Sequence, residues 1–148
     1  MDVDDNGGTM RGSETIFFSR TYDEALDLVK EARSYLAGPG QAAARAMPAT
    51  ASFGYAAESL RLTTRLTESM SWLMFQRALQ EGEISPEEAQ EDECHLQHVK
   101  VCLEDEPACD PELLPEGLQS LLERSERLYR RLVRLDDQGM INYRRSRC

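Results

Sequence analysis

The side chains best suited to chemistry lie in one short stretch, ECHLQHVKVC, at residues 93–102. Thiolates and imidazoles are ligands that zinc prefers, and residues three or four apart on a helix share a face. The spacing matches no standard zinc finger, however, because the sequence has no C-x2-C pair and no comparable second ligand pair. We therefore interpret the tract as polar residues and small buried thiols on a marginal helix, and we expect no metal. The weak candidate ligands are Cys94, His95, His98 and Cys102, followed later by Cys109.

Motifs for catalysis are absent from the sequence. There is no glycine-rich phosphate loop, no G-x-S-x-G and no nucleophile with an obvious base. Gly38-Pro39-Gly40 is typical of a helix stop rather than of a phosphate cradle. Carboxylates are abundant but fall on outward faces, whereas paired acid–base chemistry needs a dry cleft. We predict no catalytic residues, no cofactor and no enzymatic activity.

Composition and charge restrict the class of protein. The chain has 148 residues, of which 41% are hydrophobic and 30% charged, as expected of one globular domain. A net charge of −10 argues against broad contact with nucleic acid or an anionic membrane. No apolar run approaches the roughly 20 residues of a membrane span, and the polar, acidic N-terminus is unlike a secretory signal. We expect a cytoplasmic protein with reduced thiols.

The charge is divided unevenly along the chain. Residues 83–116 carry twelve acidic side chains and one basic one, and we call this segment the connector. Residues 117–148 carry eight basic and four acidic side chains. A chain with an acidic belt and a basic end can meet partners of either sign.

Helix signals predict an all-α fold. A T-x-x-E capping box begins the first helix, S-P-E-E begins a short polar one, and a Leu seam with one polar interruption marks the last. The limits read from the sequence are Thr21 to Gly38, Ala51 to Glu81 with Gly82 as the stop, Ser85 onward, and Pro115 to Gly139; the seam is Leu118, Leu121, Ser125, Leu128, Leu132 and Leu135.

Three long helices in one domain predict an antiparallel three-helix bundle, up-down-up, in which the connector is a long second connection. We expect residues 1–18 to be a disordered lead-in, residues 19–139 to form the bundle domain and residues 140–148 to be a flexible basic tail.

The second predicted helix is apolar on two sides at SWLMFQ, residues 71–76. On a helical wheel one stripe suits the core of the bundle, while Trp72, Phe75 and Leu79 fall on the opposite side. Either the first and last helices wrap this helix more fully, or its second face meets another copy of the chain. We favour the second interpretation and predict a homodimer that associates through Trp72, Phe75 and Leu79.

Two longer stretches resemble a known family. They are SRTYDEALDLVKEARSYL at residues 19–36 and SLRLTTRLTESMSWLMFQRALQEGEIS at residues 59–85, in which LTTRL, WL, QRA and EGE in that order are the most specific elements. These residues resemble the RcdA family of alpha-proteobacteria, the regulators of CtrA degradation. Residues 90–114 of the connector and the tail after Gly139 do not contribute to the resemblance.

The resemblance implies a dimeric helical bundle without enzymatic activity that acts as an adaptor in regulated proteolysis. Such adaptors help to deliver cell-cycle transcription regulators to the ClpXP protease, together with a receiver-domain primer protein and a cyclic-di-GMP-binding partner. The resemblance also implies that the protein is located at the cell pole.

Basic side chains are the candidate partner contacts under this hypothesis, although arginines on the last helix commonly do no more than solvate its outer face. Two other function classes stay open: a metal-dependent regulator built on the Cys/His tract, and a DNA-associated helical protein that uses the basic last helix. A helical dimer without a protease link is a further alternative. The candidate contacts are Arg61, Arg65, Arg124, Arg127, Arg130, Arg131 and Arg134.

Overall fold

The computed structural model describes residues 3–103 and 106–147, with side chains from Ile16 onward. Within these ranges the secondary structure is helical and contains no β-strand, which confirms the all-α prediction. The α-helices are α1 (Val3–Ala37), α2 (Pro39–Arg45), α3 (Ala49–Gln80), α4 (Val99–Cys102) and α5 (Glu116–Arg147). Short 3-10 turns lie between them at Glu88–Gln90, Asp92–Cys94 and Pro111–Leu113.

The first helix begins earlier than the sequence predicts. Residues 3–18, expected to be disordered, form the first half of α1, and residues 1 and 2 lie outside the described residues. The predicted cap at Thr21 is therefore wrong. Its hydroxyl donates instead to the Phe17 carbonyl one turn earlier, at 2.9 Å, which is the bond that a threonine inside a helix can make.

The glycine stops behave differently from one another. α1 ends at Ala37 and α2 begins with Pro39, so the predicted stop is confirmed, but its glycine is not left-handed. Gly82 has a φ of 76°, which favours glycine, and it follows the end of α3 as predicted. Gly139, in contrast, lies inside α5, which continues to Arg147 through most of the expected flexible tail.

The direction of α5 corrects the predicted up-down-up topology. Arg124 and Arg131 of α5 pair with Glu31 and Glu24 of α1, so these two helices run antiparallel. α3 and α5 run parallel, because Arg65, Glu68 and Trp72 bond in that order to Ser125, Tyr129 and Asp136. The connector is long enough to return along the bundle before α5 begins, so a parallel pair of helices is possible.

The core lies where α1, α3 and α5 meet. Small residues on α1 let the leucines of the other two helices approach closely, and the predicted α5 seam is buried except at Leu135, which is half-buried. Ser125, the polar interruption in that seam, lies opposite Arg65. The central residues are Ala25, Leu28, Ala32, Leu62, Leu66, Leu73, Leu118, Leu121, Leu128 and Leu132.

The ring of Tyr35 fixes the junction of α1, α2 and α5 because two glycines enclose it. A Cβ added to Gly117 would lie 2.9 Å from its Cζ, and one added to Gly40 would lie 2.6 Å from its Cε1. We expect Gly117→Ala to lower the free energy of unfolding by about 2 kcal/mol, because the added methyl group would overlap the Tyr35 ring and force a shift in the packing. Gly139→Ala is the matched control: a Cβ there meets open space, and we expect a gain of about 0.5–1 kcal/mol. Chemical denaturation measures both, and an equal effect of the two changes would contradict the enclosure of Tyr35.

Candidate functional site

The connector lies along α3 and is held there by four charged residues on one face of that helix. The backbone N–H of Ala108 donates to Glu58 at 3.0 Å, and Arg61 donates to the Glu106 carbonyl at 3.4 Å. Further along α3, Arg65 and Glu68 bind Cys102 and His98 of the connector. Along these contacts the residue numbers of the connector fall as those of α3 rise, so the connector runs antiparallel to α3.

Arg65 joins three parts of the fold. Its side chain donates to the Cys102 carbonyl at 2.7 Å, to the Leu122 carbonyl at 3.1 Å and to the Ser125 hydroxyl at 3.4 Å. The residue is 4% exposed. This burial corrects its prediction as a partner contact, because the guanidinium is occupied inside the bundle. Arg61 is half-buried and pairs with Glu58 at 2.9 Å, so it is also bound within the chain.

Glu68 collects hydrogen bonds from the connector and from α5. Its carboxylate accepts from the Tyr129 hydroxyl at 2.7 Å, from the His98 N–H at 2.8 Å and from the Cys102 thiol at 3.3 Å. Burial by itself would raise the pKa of Glu68, but these donors and the Gln97 N–H outweigh burial and leave the pKa below its usual range. Burial, reinforced by the same carboxylate, raises the pKa of Cys102 to about 11. This thiol is therefore held in its unreactive form.

A second buried cluster joins the connector to the far ends of α3 and α5. Asp136 accepts from the Trp72 indole at 3.0 Å and from the Leu96 N–H at 3.2 Å, and its carboxylate lies 2.7 Å from His95 Nδ1. The other ring nitrogen of His95 lies 3.1 Å from the Gln90 carbonyl. Trp72 is 2% exposed, which differs from its prediction as part of a self-association face. The bundle itself covers this residue, as the first interpretation of SWLMFQ requires.

The side chains of the weak candidate metal ligands lie in different surroundings. Cys94 donates to the Glu88 carbonyl, His95 binds Asp136, Cys102 binds Glu68, and His98 is exposed. Within residues 3–103 and 106–147, no group of three or more His, Cys, Asp or Glu side chains is arranged to hold a metal ion.

The arginines of α5 make ion pairs of two kinds. Arg124 and Arg131 cross to Glu31 and Glu24 of α1 at 2.6 and 2.9 Å. Arg127 and Arg130 pair within α5 with the glutamates four residues earlier, Glu123 and Glu126. Arg134 is exposed. These surface pairs each contribute under about 1 kcal/mol, so the arginines can exchange their partners at little cost.

The open side of α3 carries exposed apolar side chains. Phe53 is 75% exposed and Leu60 is 69% exposed, and both lie in the N-terminal half of the helix. Phe75 and Leu79, predicted for self-association, are half-buried. Met74, in the same part of α3, is exposed. Large apolar side chains that point to solvent from one helix face are typical of a protein-interaction surface.

Comparisons with known proteins agree with this architecture. The family described as "Protein of unknown function (DUF1465)" matches residues 9–146. The solved structure of RcdA from Caulobacter crescentus CB15 is 43% identical, covers 82% of this chain and 89% of its own, and superposes with a TM-score of 0.65. No curated protein sequence matches the chain.

The chain belongs to the RcdA family. Membership confirms the resemblance inferred from residues 19–36 and 59–85. In the part of this RcdA-family chain that the structure describes, no helix is long and apolar enough to cross a membrane.

Sequence reasoning missed the residues that hold the connector in this RcdA-family member. Glu58 and Glu68 were not singled out, and Arg61 and Arg65 were assigned to partners. The sequence did contain one signal for them, because these four charged residues are spaced three, four and three apart and so share one face of α3. That face lies beside the apolar core stripe of the same helix.

Proposed function

We propose that this protein is a non-enzymatic adaptor in regulated proteolysis. It helps to deliver cell-cycle transcription regulators to the ClpXP protease, together with a receiver-domain primer protein and a cyclic-di-GMP-binding partner. The observation that carries the proposal is 43% identity to RcdA over 82% of the chain. The proposed location is the cytoplasm, at the cell pole.

Tethering explains how a helical bundle without an active site can speed degradation. An adaptor that binds both substrate and protease raises the local substrate concentration to the order of millimolar, without new chemistry. The surfaces that such tethering needs are available as the apolar side of α3 and the ion-paired arginines of α5.

The groups that could do acid–base chemistry support the non-enzymatic part of the proposal. The Glu68 carboxylate accepts from the Tyr129 hydroxyl and connector N–H groups, and the Asp136 carboxylate is shared by Trp72, His95 and Leu96. Groups with these bonds hold the connector in place and are not free to exchange protons with a substrate.

Self-association is the second part of the proposal. Phe53 and Leu60 are the more exposed apolar residues on α3, so we place the homodimer contact on them, with the half-buried Phe75 and Leu79 at its margin. In a two-fold dimer, a charge at this contact is present twice and faces its own copy. We expect Phe53→Glu or Leu60→Glu to raise the dimer dissociation constant more than tenfold. Sedimentation equilibrium measures the change.

Leu113→Glu is the matched control for this prediction. Leu113 is also exposed, but it lies in the connector, so its substitution leaves the dissociation constant unchanged. A wild-type chain that sediments as a monomer, or an equal effect of Leu113→Glu, would contradict the assignment of the contact.

Reconstituted degradation tests the adaptor role directly. ClpXP, a receiver-domain primer, a cyclic-di-GMP-binding partner and a candidate transcription regulator are mixed with and without this protein. We expect faster substrate loss in its presence, with ATP turnover by the unfoldase as the activity control. An unchanged rate with active controls and folded protein would count against the adaptor role.

A further inference from the structure

A groove of about 410 Å3 lies on the open side of α3, where that helix meets the connector. Thr64, Thr67, Ser71 and Phe75 form its floor, and His98 stands on the connector side. The groove extends from the middle of α3 toward its C-terminus. It begins about one turn after Leu60 of the proposed self-association contact and includes Phe75 at the margin of that contact.

The floor of the groove offers apolar surface although several of its residues are polar in type. The hydroxyls of Thr63 and Thr64 donate to the carbonyls of Ser59 and Leu60 in the same helix, at 2.8 and 2.9 Å, so they are already paired. The ring of Phe75 is half-buried and lines the same floor. A ligand therefore finds threonine methyl groups and an aromatic ring here, beside the exposed residues Thr67 and Ser71, and the apolar part suits one bulky apolar side chain.

The charged groups of the groove wall are engaged within the fold. Glu68 is bound by Tyr129 and by connector N–H groups, and His95 is bound by Asp136. Glu68 and His95 are therefore already bonded within the fold. A charged ligand would be recognised by the residues at the rim of the groove.

The rim of the groove is acidic. Glu93 lines it, and Glu91 and Asp92 beside it are exposed. A hydrogen bond with the Glu93 carboxyl and repulsion from Glu93 and Glu88 raise the pKa of Glu91. Residues 83–103 contain six acidic side chains and a single basic one, Lys100. Crowded carboxylates repel one another, and a cationic ligand would relieve that repulsion.

We propose that this groove binds a basic peptide segment of a partner protein, with one bulky apolar side chain on the floor and Lys or Arg residues against the acidic rim. The inference deepens the proposed adaptor role and rests on it, because an adaptor needs a surface that holds what it delivers. Charge complementarity selects the occupant: the rim repels nucleic acid and acidic peptides and attracts basic ones.

Isothermal titration calorimetry with three matched peptides tests the proposal on the full chain. The first has one Phe flanked by Lys and Arg over about eight residues, enough to span the floor in extended form. The second has Glu at each basic position, and the third has Ala in place of Phe. We expect binding of the first, weakened by added salt, and at least tenfold weaker binding of the other two.

Variants locate the binding site. Ser71→Trp fills the floor and Thr67→Arg places a cation in it, so each should abolish binding of the first peptide. Glu91→Gln combined with Glu93→Gln should weaken it about five- to tenfold. The controls are Thr50→Trp on the exposed start of α3 and Glu112→Gln elsewhere on the connector, both with unchanged binding. Circular dichroism establishes that each variant is folded.

Several results would overturn the inference: equal binding of the acidic peptide, an effect of Thr50→Trp as large as that of Ser71→Trp, or a change of oligomer mass in Ser71→Trp, which would assign the groove to a second copy. The assay contains no protease. If the first peptide does not bind but degradation is accelerated, the groove proposal is wrong and the adaptor role stands. If the first peptide binds but degradation is unchanged, the adaptor role is wrong and the groove proposal stands.

Discussion

Arg65→Met is expected to lower the free energy of unfolding by about 3 kcal/mol and to release the connector from α3. Methionine keeps the buried stem but removes the donors that bind the Cys102 carbonyl, the Leu122 carbonyl and the Ser125 hydroxyl. Arg65 is buried, so water cannot easily replace these bonds. Urea denaturation monitored by circular dichroism measures the loss.

Thiol labelling shows whether the connector itself opens. Cys102 is fully buried, and burial with the Glu68 hydrogen bond raises its pKa to about 11, so it reacts slowly at pH 8. In Arg65→Met we expect alkylation of Cys102, resolved by mass spectrometry, to be about tenfold faster. Arg127→Met is the control, because Arg127 is exposed and pairs with Glu123 along α5. Equal labelling rates in wild type and Arg65→Met would show that Arg65 does not hold the connector.

The sequence was sufficient to predict the three long helices and the core seam, but not the direction of α5. The helix predicted from Ser85 onward is replaced by short 3-10 turns. Periodicity shows which face of a helix is buried and says nothing about which neighbour covers it. The direction depends on the connector, whose bonds to α3 join residues 29 to 50 positions apart. No local pattern contains such contacts, and an acidic, proline-containing segment is typical of a solvent-exposed loop.

Trp72, Arg65 and Arg61 show the same difficulty at the site. Trp72 and Arg65 looked unpaired from the sequence because their partners lie on α5 or on the connector: Asp136 for Trp72, and the Cys102 carbonyl for Arg65. Arg61 pairs with Glu58 on α3 itself and also bonds to the Glu106 carbonyl of the connector. The helix ends predicted at Thr21 and Gly139 were also wrong. Thr21 carries a typical cap signal, but it is buried in the bundle, which stabilises a continuous helix through this position. Gly139 carries a typical stop signal, and α5 continues through it although a Cβ there would meet open space.

Glu68→Gln is expected to destabilise the protein at pH 7 by about 1–2 kcal/mol, with a difference from wild type that shrinks in acid. Glutamine keeps the size and one acceptor oxygen but loses the charge that strengthens the bonds from Tyr129 and His98. The pKa of Glu68 lies below its usual value in the folded chain. The ionised carboxylate therefore adds stability that is fully present above about pH 5 and is lost as the pH falls through the lowered pKa.

Denaturation of both proteins from pH 7 to pH 3 measures this dependence, and subtracting the two curves removes the titration of the other carboxylates. The matched control is Glu123→Gln, an exposed carboxylate paired with Arg127, for which we expect a difference under about 0.5 kcal/mol throughout. Below the lowered pKa, wild-type Glu68 is itself protonated, so the wild type and Glu68→Gln should converge. If the difference stays constant down to pH 3, the charge of Glu68 is not what holds the connector, and the loss must instead come from packing around Tyr129.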